Sequence, residues 1–233
     1  MQARLKQIKK LAQIPMTDDR LSKRVEIIML KYKEEADVID EAINRIVNYT
    51  KWPFKLTIFD NRLNSANTAR IWNKLVREST CDYILLIDSD AFIPVGIEPC
   101  WLTRLMESID VYGIVVPIGD NVGGANKGDQ ALPYPSFVVR HGVWSGFCFL
   151  FKKSILEQTG WFDEDFYIYG QDSEFAFRAN KILGGAVYRT DVLVKHLGGY
   201  SFKKAAEMGE VDREADKIYA ASLYRLKTQG RLK

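Results

Sequence analysis

Two carboxylates stand two residues apart at Asp88-Ser89-Asp90, directly after the apolar run YILLI at residues 83–87. A continuous apolar run reads as a buried strand, so both acids fall where that strand runs out at a sheet edge. Hard oxygen donors so placed suit Mg²⁺ or Mn²⁺, which can bridge a diphosphate. Asp163-Glu164-Asp165 has the same spacing but follows no such strand. A turn capped by its own Asp side chains is the competing reading of either run. Asp172 opens a helical stretch, where it serves as a cap or as a general base. His196 ends a late apolar stretch, just before Gly198 and Gly199. It reads as a packed histidine or as a metal or phosphate ligand. His141 lacks comparable context and reads as structural. Tyr32 reads as an ordinary strand-end tyrosine or as a ring stacking on a nucleobase, and Asp60 suits accepting a hydrogen bond from a base N–H.

Apolar patterning supplies the elements that must position these groups. Continuous apolar runs predict strands at residues 25–30, 55–59, 83–87 and 111–117. Helical spacing predicts helices between them at 35–49, 65–78 and 98–109. In the first of these, Val38, Ile39, Ala42, Ile43, Ile46 and Val47 share one face. Such alternation defines an α/β chain with a mostly parallel sheet. Its crossovers are right-handed, and its ligands gather at the carboxyl ends of the strands. Tyr32, Asp60, Asp88 and Asp90 all follow predicted strands.

Residues 119–135 (GDNVGGANKGDQALPYP) hold four of the sixteen glycines and two prolines. A loop of this length is uncommon in a compact domain, and a mobile lid is expected. Beyond it the pattern predicts a strand at 143–151 and a short helix at 153–158 stopped by Gly160. A helix at 173–183, a strand at 186–194 and a basic helix at 214–227 follow. Residues 3–14 read as a basic amphipathic helix ended by Pro15.

The chain has 233 residues and a formal net charge of +3, with 47% apolar and 27% charged residues. That composition excludes disorder, collagen and a disulfide-dense scaffold. The longest apolar runs have five residues, against ~20 for a bilayer-spanning helix. No secretory signal pattern is seen. Cys81, Cys100 and Cys148 are odd in number and widely spaced, as in a cytoplasmic protein with reduced thiols. Residues 1–24 carry seven bases and two acids, residues 201–233 eight bases and five acids, leaving the centre acidic. The basic ends read as solvated helices or as contacts to an anionic acceptor or membrane surface. No glycine-rich phosphate loop follows the first strand and no GxSxG is present, which opposes a Rossmann dehydrogenase, a Walker NTPase and an α/β-hydrolase.

Four stretches, taken in order, resemble the family 2-type glycosyltransferases of the GT-A fold. Residues 27–34 (IIMLKYKE) are similar to the family's opening strand and its Tyr-Asn-Glu element. Residues 57–61 (TIFDN) resemble the strand ending in the base-binding aspartate, and 83–90 (YILLIDSD) the metal-binding DxD strand. The fourth runs from Ser145-Gly146-Phe147 through GWFDE at 160–164 and YGQDSEF at 169–175 to Arg178 and His196. Gln171 stands where the family has Glu, and Lys33 where it has Asn. The segment from Asp60 to Asn73 is short, which leaves no standard place for Arg70 as a phosphate contact.

The resemblance implies a single GT-A (Rossmann-like) domain with helical appendages. Residues 25–118 would form the nucleotide-sugar half and 119–200 the acceptor and catalytic half, with 1–24 and 201–233 appended. Tyr32, Asp60, Asn73, Asp88 and Ser89 would face the donor, a nucleoside-diphosphate sugar with UDP as the expected nucleotide. Asp88, Asp90 and His196 would hold Mn²⁺ or Mg²⁺. Asp172 would be the catalytic base of an inverting displacement, with Trp144 and Gly146 on the acceptor side. The acceptor is left open among a glycan, a lipid-linked sugar, a protein and a nucleic acid. The rivals are a nucleotidyltransferase, a catalytically silent nucleotide- or glycan-binding domain, and a nucleic-acid module resting on the basic ends.

Overall fold

The computed structural model describes residues 19–231 except 33, 63–66, 201, 202, 204–206, 208 and 210–212. The expected helix at 3–14, the residue Lys33 and much of 201–212 lie outside the described residues. In chain order the first elements are β1 (Val25–Lys31), α1 (Ala36–Tyr49), β2 (Phe54–Asp60), α2 (Thr68–Glu78), β3 (Tyr83–Asp88) and β4 (Ala91–Phe92). Then come α3 (Trp101–Met106), α4 (Ile109–Tyr112), β5 (Ile114–Gly119), β6 (Val138–Arg140) and β7 (Cys148–Lys152). The chain finishes with α5 (Ile155–Thr159), α6 (Gln171–Leu183), β8 (Ala186–His196) and α7 (Arg213–Thr228).

The strands form one mixed, mostly parallel sheet in the order β2-β1-β3-β7-β5-β8-β4, with β6 also on β8. β1 pairs in parallel with β2 and β3, and β5 in parallel with β8. β7 runs antiparallel to both β3 and β5. β1, β3, β5 and β7 are almost wholly buried, because helices cover both sheet faces. Ala42 and Ile46 of α1 pack on one face with Trp101, Leu102 and Leu105 of α3. The other face carries an aromatic cluster of Trp72, Trp144, Phe149, Phe151, Phe162 and Phe175. Within it the Phe162 and Phe175 rings lie 4.7 Å apart. Cys81, Cys100 and Cys148 are buried free thiols. Among the described residues no helix is long and apolar enough to cross a membrane.

Four expectations require correction. The strand expected at 143–151 forms only over Cys148–Lys152, because the Ser145 backbone is taken up by the Asn126 side chain rather than by a neighbouring strand. The helix expected at 98–109 is split at residues 107–108 into α3 and α4. Glu107 and Ser108 serve there as partners for Arg189. Gly113, at φ 73°, ends α4 and moves the start of the next strand from 111 to Ile114. The mobile lid expected at 119–135 is instead fastened along its length. Buried Asn126 exchanges two hydrogen bonds with the Ser145 backbone, at 2.9 and 3.1 Å. Leu132 N–H donates to Thr190 O at 2.8 Å. The Tyr134 ring lies under the Arg104 and Arg189 guanidiniums, 4.6 and 5.8 Å from its centroid. Arg189 in turn donates to both carboxylate oxygens of Asp191 from its Nε–Nη2 edge, at 2.9 and 2.7 Å, and both side chains are buried.

Candidate active site

The carboxyl ends of β1, β3 and β8 meet the amino end of β7 at one sheet edge, around a cleft of about 230 Å³. Register brings its acids together. Leu30 of β1 pairs with Asp88 at the end of β3, and Ser89 Oγ donates to Leu30 O at 2.8 Å. The two-residue strand β4 then pairs with the end of β8, setting Ala91 opposite His196. That pairing is what carries Asp90 to the histidine. His196 Nε2 lies 3.1 Å from Asp90 Oδ1 and 3.5 Å from Asp88 Oδ2. The imidazole is held from behind by the Phe147 ring, stacked at 5.2 Å between centroids. Gly119 makes room for that ring, since a Cβ at 119 would fall 2.5 Å from Phe147 Cζ. The His196 N–H donates to Asp120 Oδ1 at 2.8 Å.

These groups perturb one another strongly. Desolvation by the surrounding cleft, with help from Asp90 and Glu34, pushes the Asp88 carboxyl up to about 6, against the opposing hydrogen bond from His196. Burial alone would depress the His196 imidazolium, but its hydrogen bonds to Asp88 and Asp90 outweigh that and lift it to about 10. The donor set itself suits a hard divalent cation. Two carboxylates and one imidazole present ligand atoms within 4.8 Å of one another, and Mn²⁺ and Mg²⁺ accept this mixture. Asp90 is buried while Asp88 is half exposed, so the set is anchored on one side and open on the other.

Asp172 reaches the same cleft from the first turn of α6. Gly170, at φ 93°, turns the chain into that helix. Asp172 Oδ2 accepts the Gly146 N–H at 2.7 Å and Oδ1 accepts the Ser173 N–H at 2.7 Å. Burial raises the carboxyl above the ordinary aspartate value, against those two backbone donors. A raised carboxylate with fixed geometry is suited to take a proton.

The structure brings Tyr32, Asp88, Ser89, Asp90, Gly146, Asp172 and His196 to the cleft wall. It does not bring Asp60 there. Asp60 is exposed beyond it, chelated by the Arg62 side chain through both carboxylate oxygens, which holds its carboxyl down to about 2. Asn61, buried beside it, lines the cleft instead. Asn73 is also elsewhere. Its amide bonds Phe162 O, Phe162 N–H and Glu164, so it fastens the 162–164 segment to α2. Trp144 is buried against Phe149 and Phe175 and borders a second cavity. Arg70 pairs with Glu164 on the surface. Asp163 and Asp165 both engage Lys227 of α7, so the second DxD-like run is a tether for that helix. Glu34, Asn61 and Tyr169 line the cleft although no expectation placed them there, and Gln171, the departure from the resembled pattern, lines it too. The strand-end rule marks Glu34 and Asn61, but nothing in residue type separates them from their neighbours. Gln171 Oε1 is buried with no hydrogen-bond partner among the described residues.

No protein-family model matches the chain, and no curated protein matches it in sequence. Solved structures do. GalNAc-T7, crystallised with UDP, GalNAc and Mn²⁺, matches 74% of this chain with a TM-score of 0.58 and 12% identity. S. aureus TarS 1–349 matches 85% of it with a TM-score of 0.56 and 14% identity. The same fragment with UDP gives a TM-score of 0.54 at 14% identity. The matched regions cover 43% of the GalNAc-T7 chain and 69% of the TarS fragment. Both neighbours are GT-A glycosyltransferases, and this chain has the GT-A fold.

Proposed function

We propose that the protein is a metal-dependent, family 2-like glycosyltransferase. It moves a sugar from a nucleoside-diphosphate sugar, with UDP as the nucleotide, to an acceptor hydroxyl by inverting displacement. The observation that carries this reading is the sharing of one cleft by the Asp88–Asp90–His196 set and the fixed carboxylate of Asp172. The UDP and Mn²⁺ found in complexes of the structural neighbours support the choice of donor and ion.

Asp88, Asp90 and His196 would hold Mn²⁺ or Mg²⁺. That ion, when bound, supplies Lewis-acid stabilisation to the departing diphosphate. The chain's own residues do the rest. Tyr32 and Asn61 border the base end of the cleft, and Ser89 locks the shelf to β1. Asp172 Oδ2 takes the proton of the acceptor hydroxyl as its oxygen bonds to the anomeric carbon. Gly146 N–H keeps that oxygen aimed. Proton removal of this kind contributes roughly 10²–10⁴-fold. In this reading residues 25–118 serve the donor and 119–200 the acceptor and the base. The protein works in the cytoplasm, and the positive charge of residues 1–24 favours an anionic membrane surface.

Incubation with UDP-, GDP- and dTDP-sugars, with Mn²⁺ or with EDTA, tests the proposal through nucleotide release. Metal-dependent release from a UDP-sugar is expected. UDP binding without release from any donor, across an acceptor panel, would instead mark a silent binding domain.

A further inference from the structure

A second cavity, about 570 Å³, lies on the far side of Asp172 and shares Ser145, Tyr169 and Asp172 with the first. One wall is α7, which contributes Lys217, Ala220, Ala221 and Tyr224. The helix is firmly seated. Lys227 engages Asp163 and Asp165, Tyr224 meets Phe177 edge to face at 6.2 Å, and Asp216 accepts the Tyr169 N–H at 3.3 Å.

Among the described residues, only two charged side chains line this cavity, Asp172 and Lys217. Asp172 is committed to the backbone of Gly146 and Ser173. Lys217 makes no ion pair with a described residue, and its Nζ sits 5.9 Å from the Tyr169 ring centroid. Its neighbours differ. Lys227 is paired twice, and Asp216 is turned to the Tyr169 backbone. The remaining walls are small or aromatic, from Gly124 and Ala221 to Tyr169 and Tyr224. Aromatic faces of this kind take the apolar face of a ring. A lone ammonium beside them, in a partly desolvated recess, attracts an anion far more strongly than it would in water.

We propose that the second cavity binds the acceptor, and that the acceptor is a hydroxylated ring bearing an anionic group, phosphate or carboxylate, which pairs with Lys217. The inference rests on the reading of Asp172 as the base. The acceptor hydroxyl oxygen bonds to the anomeric carbon, the bond from that carbon to the diphosphate breaks with its electrons leaving on the diphosphate, and the proton passes to Asp172. The anionic group takes no part in bond making. It holds the ring so that the hydroxyl faces the first cavity, and its charge offsets Lys217 beside an otherwise acidic edge.

Calorimetric titration of the full chain with glucose 6-phosphate, glucuronate and methyl glucoside tests this without turnover. One or both anionic sugars should bind about tenfold more tightly than the neutral one, the worth of one charge-assisted hydrogen bond. The two anionic arms separate phosphate from carboxylate. Lys217→Ala should erase the preference and Lys217→Arg should restore it. Ala221→Trp, which fills the cavity from the exposed side of α7, should abolish binding of all three. Equal binding of the three sugars, binding of none, a preference that survives Lys217→Ala, or binding that survives Ala221→Trp would each overturn the proposal. The donor reading fails separately, in a UDP titration with Mn²⁺ that uses only the first cavity.

Discussion

Gly146 and Asp172 are in contact as donor and acceptor and also as adjoining surfaces. The Gly146 N–H lies 2.7 Å from Asp172 Oδ2, and a Cβ at 146 would fall 2.5 Å from Asp172 Cβ. Glycine is needed here for the closeness of approach. Gly146→Ala should therefore push the carboxylate off its place, and transfer should fall by about 10²-fold. UDP affinity measured by titration should change little, which separates misplacement of the base from loss of the donor site.

Asp172 should give the acid limb of the rate profile. In the proposed role of base it works only when deprotonated, and burial lifts its pKa above the ordinary aspartate value. The rate should fall as pH drops through that raised value, higher than the ~3.9 of a free aspartate. Asp172→Asn should lower transfer by about 10²–10⁴-fold and remove this limb, with UDP still bound. Full activity in this variant would reassign the base.

Metal binding should be visible without any turnover. An ion bound only by the folded chain adds about 2.7 kcal/mol of stability at a concentration 100 times Kd. Mn²⁺ should raise Tm, and EDTA should reverse the rise. Asp90→Asn should lose the shift, because it removes the buried member of the Asp88–Asp90–His196 set.

Arg189 and Asp191 predict the largest stability effect. Both side chains are buried, and Arg189 also reaches Ser108 at 3.0 Å. Truncating either partner removes the paired, buried contact and leaves Arg189 with Glu107 and Ser108, or Asp191 with Arg104 at 3.9 Å and the Ser136 N–H, a cost of about 3 kcal/mol, the low end for breaking a buried pair. Tm should fall by on the order of 10 °C for either Arg189→Ala or Asp191→Ala. Denaturant unfolding checks this, and the 119–135 segment should become sensitive to protease first, since Tyr134 rests on Arg189.

Much of the scaffold is legible because burial writes itself into residue type. VEIIML, YILLI and FCFLF are strands in the structure at or near the expected positions. Strand direction is not written there. Nothing in Cys148–Lys152 announces that β7 runs against its neighbours. β4 has two residues and no pattern, although it alone sets Asp90 beside His196. The loop at 119–135 looked free because its composition is that of a free loop. Its fastenings come from Arg104, Arg189 and Thr190, distant in sequence. Asp60 and Asn61 show the finest limit. One residue of register decides which faces the cleft, and the Arg62 chelation that holds Asp60 outside is a tertiary choice.

The reversed direction of β7 has a further consequence. An antiparallel strand enters the sheet where its neighbours leave it. Gly146 and Phe147 therefore arrive at the cleft edge on the incoming chain. The shelf of carboxylates is built from outgoing ends, whereas the aiming of Asp172 and the far wall of its cavity are built from incoming loop and α7. The two walls are thus separate modules on one frame. Changes in residues 120–145 and in α7 can retune that wall while the Asp88–Asp90–His196 shelf stays as it is.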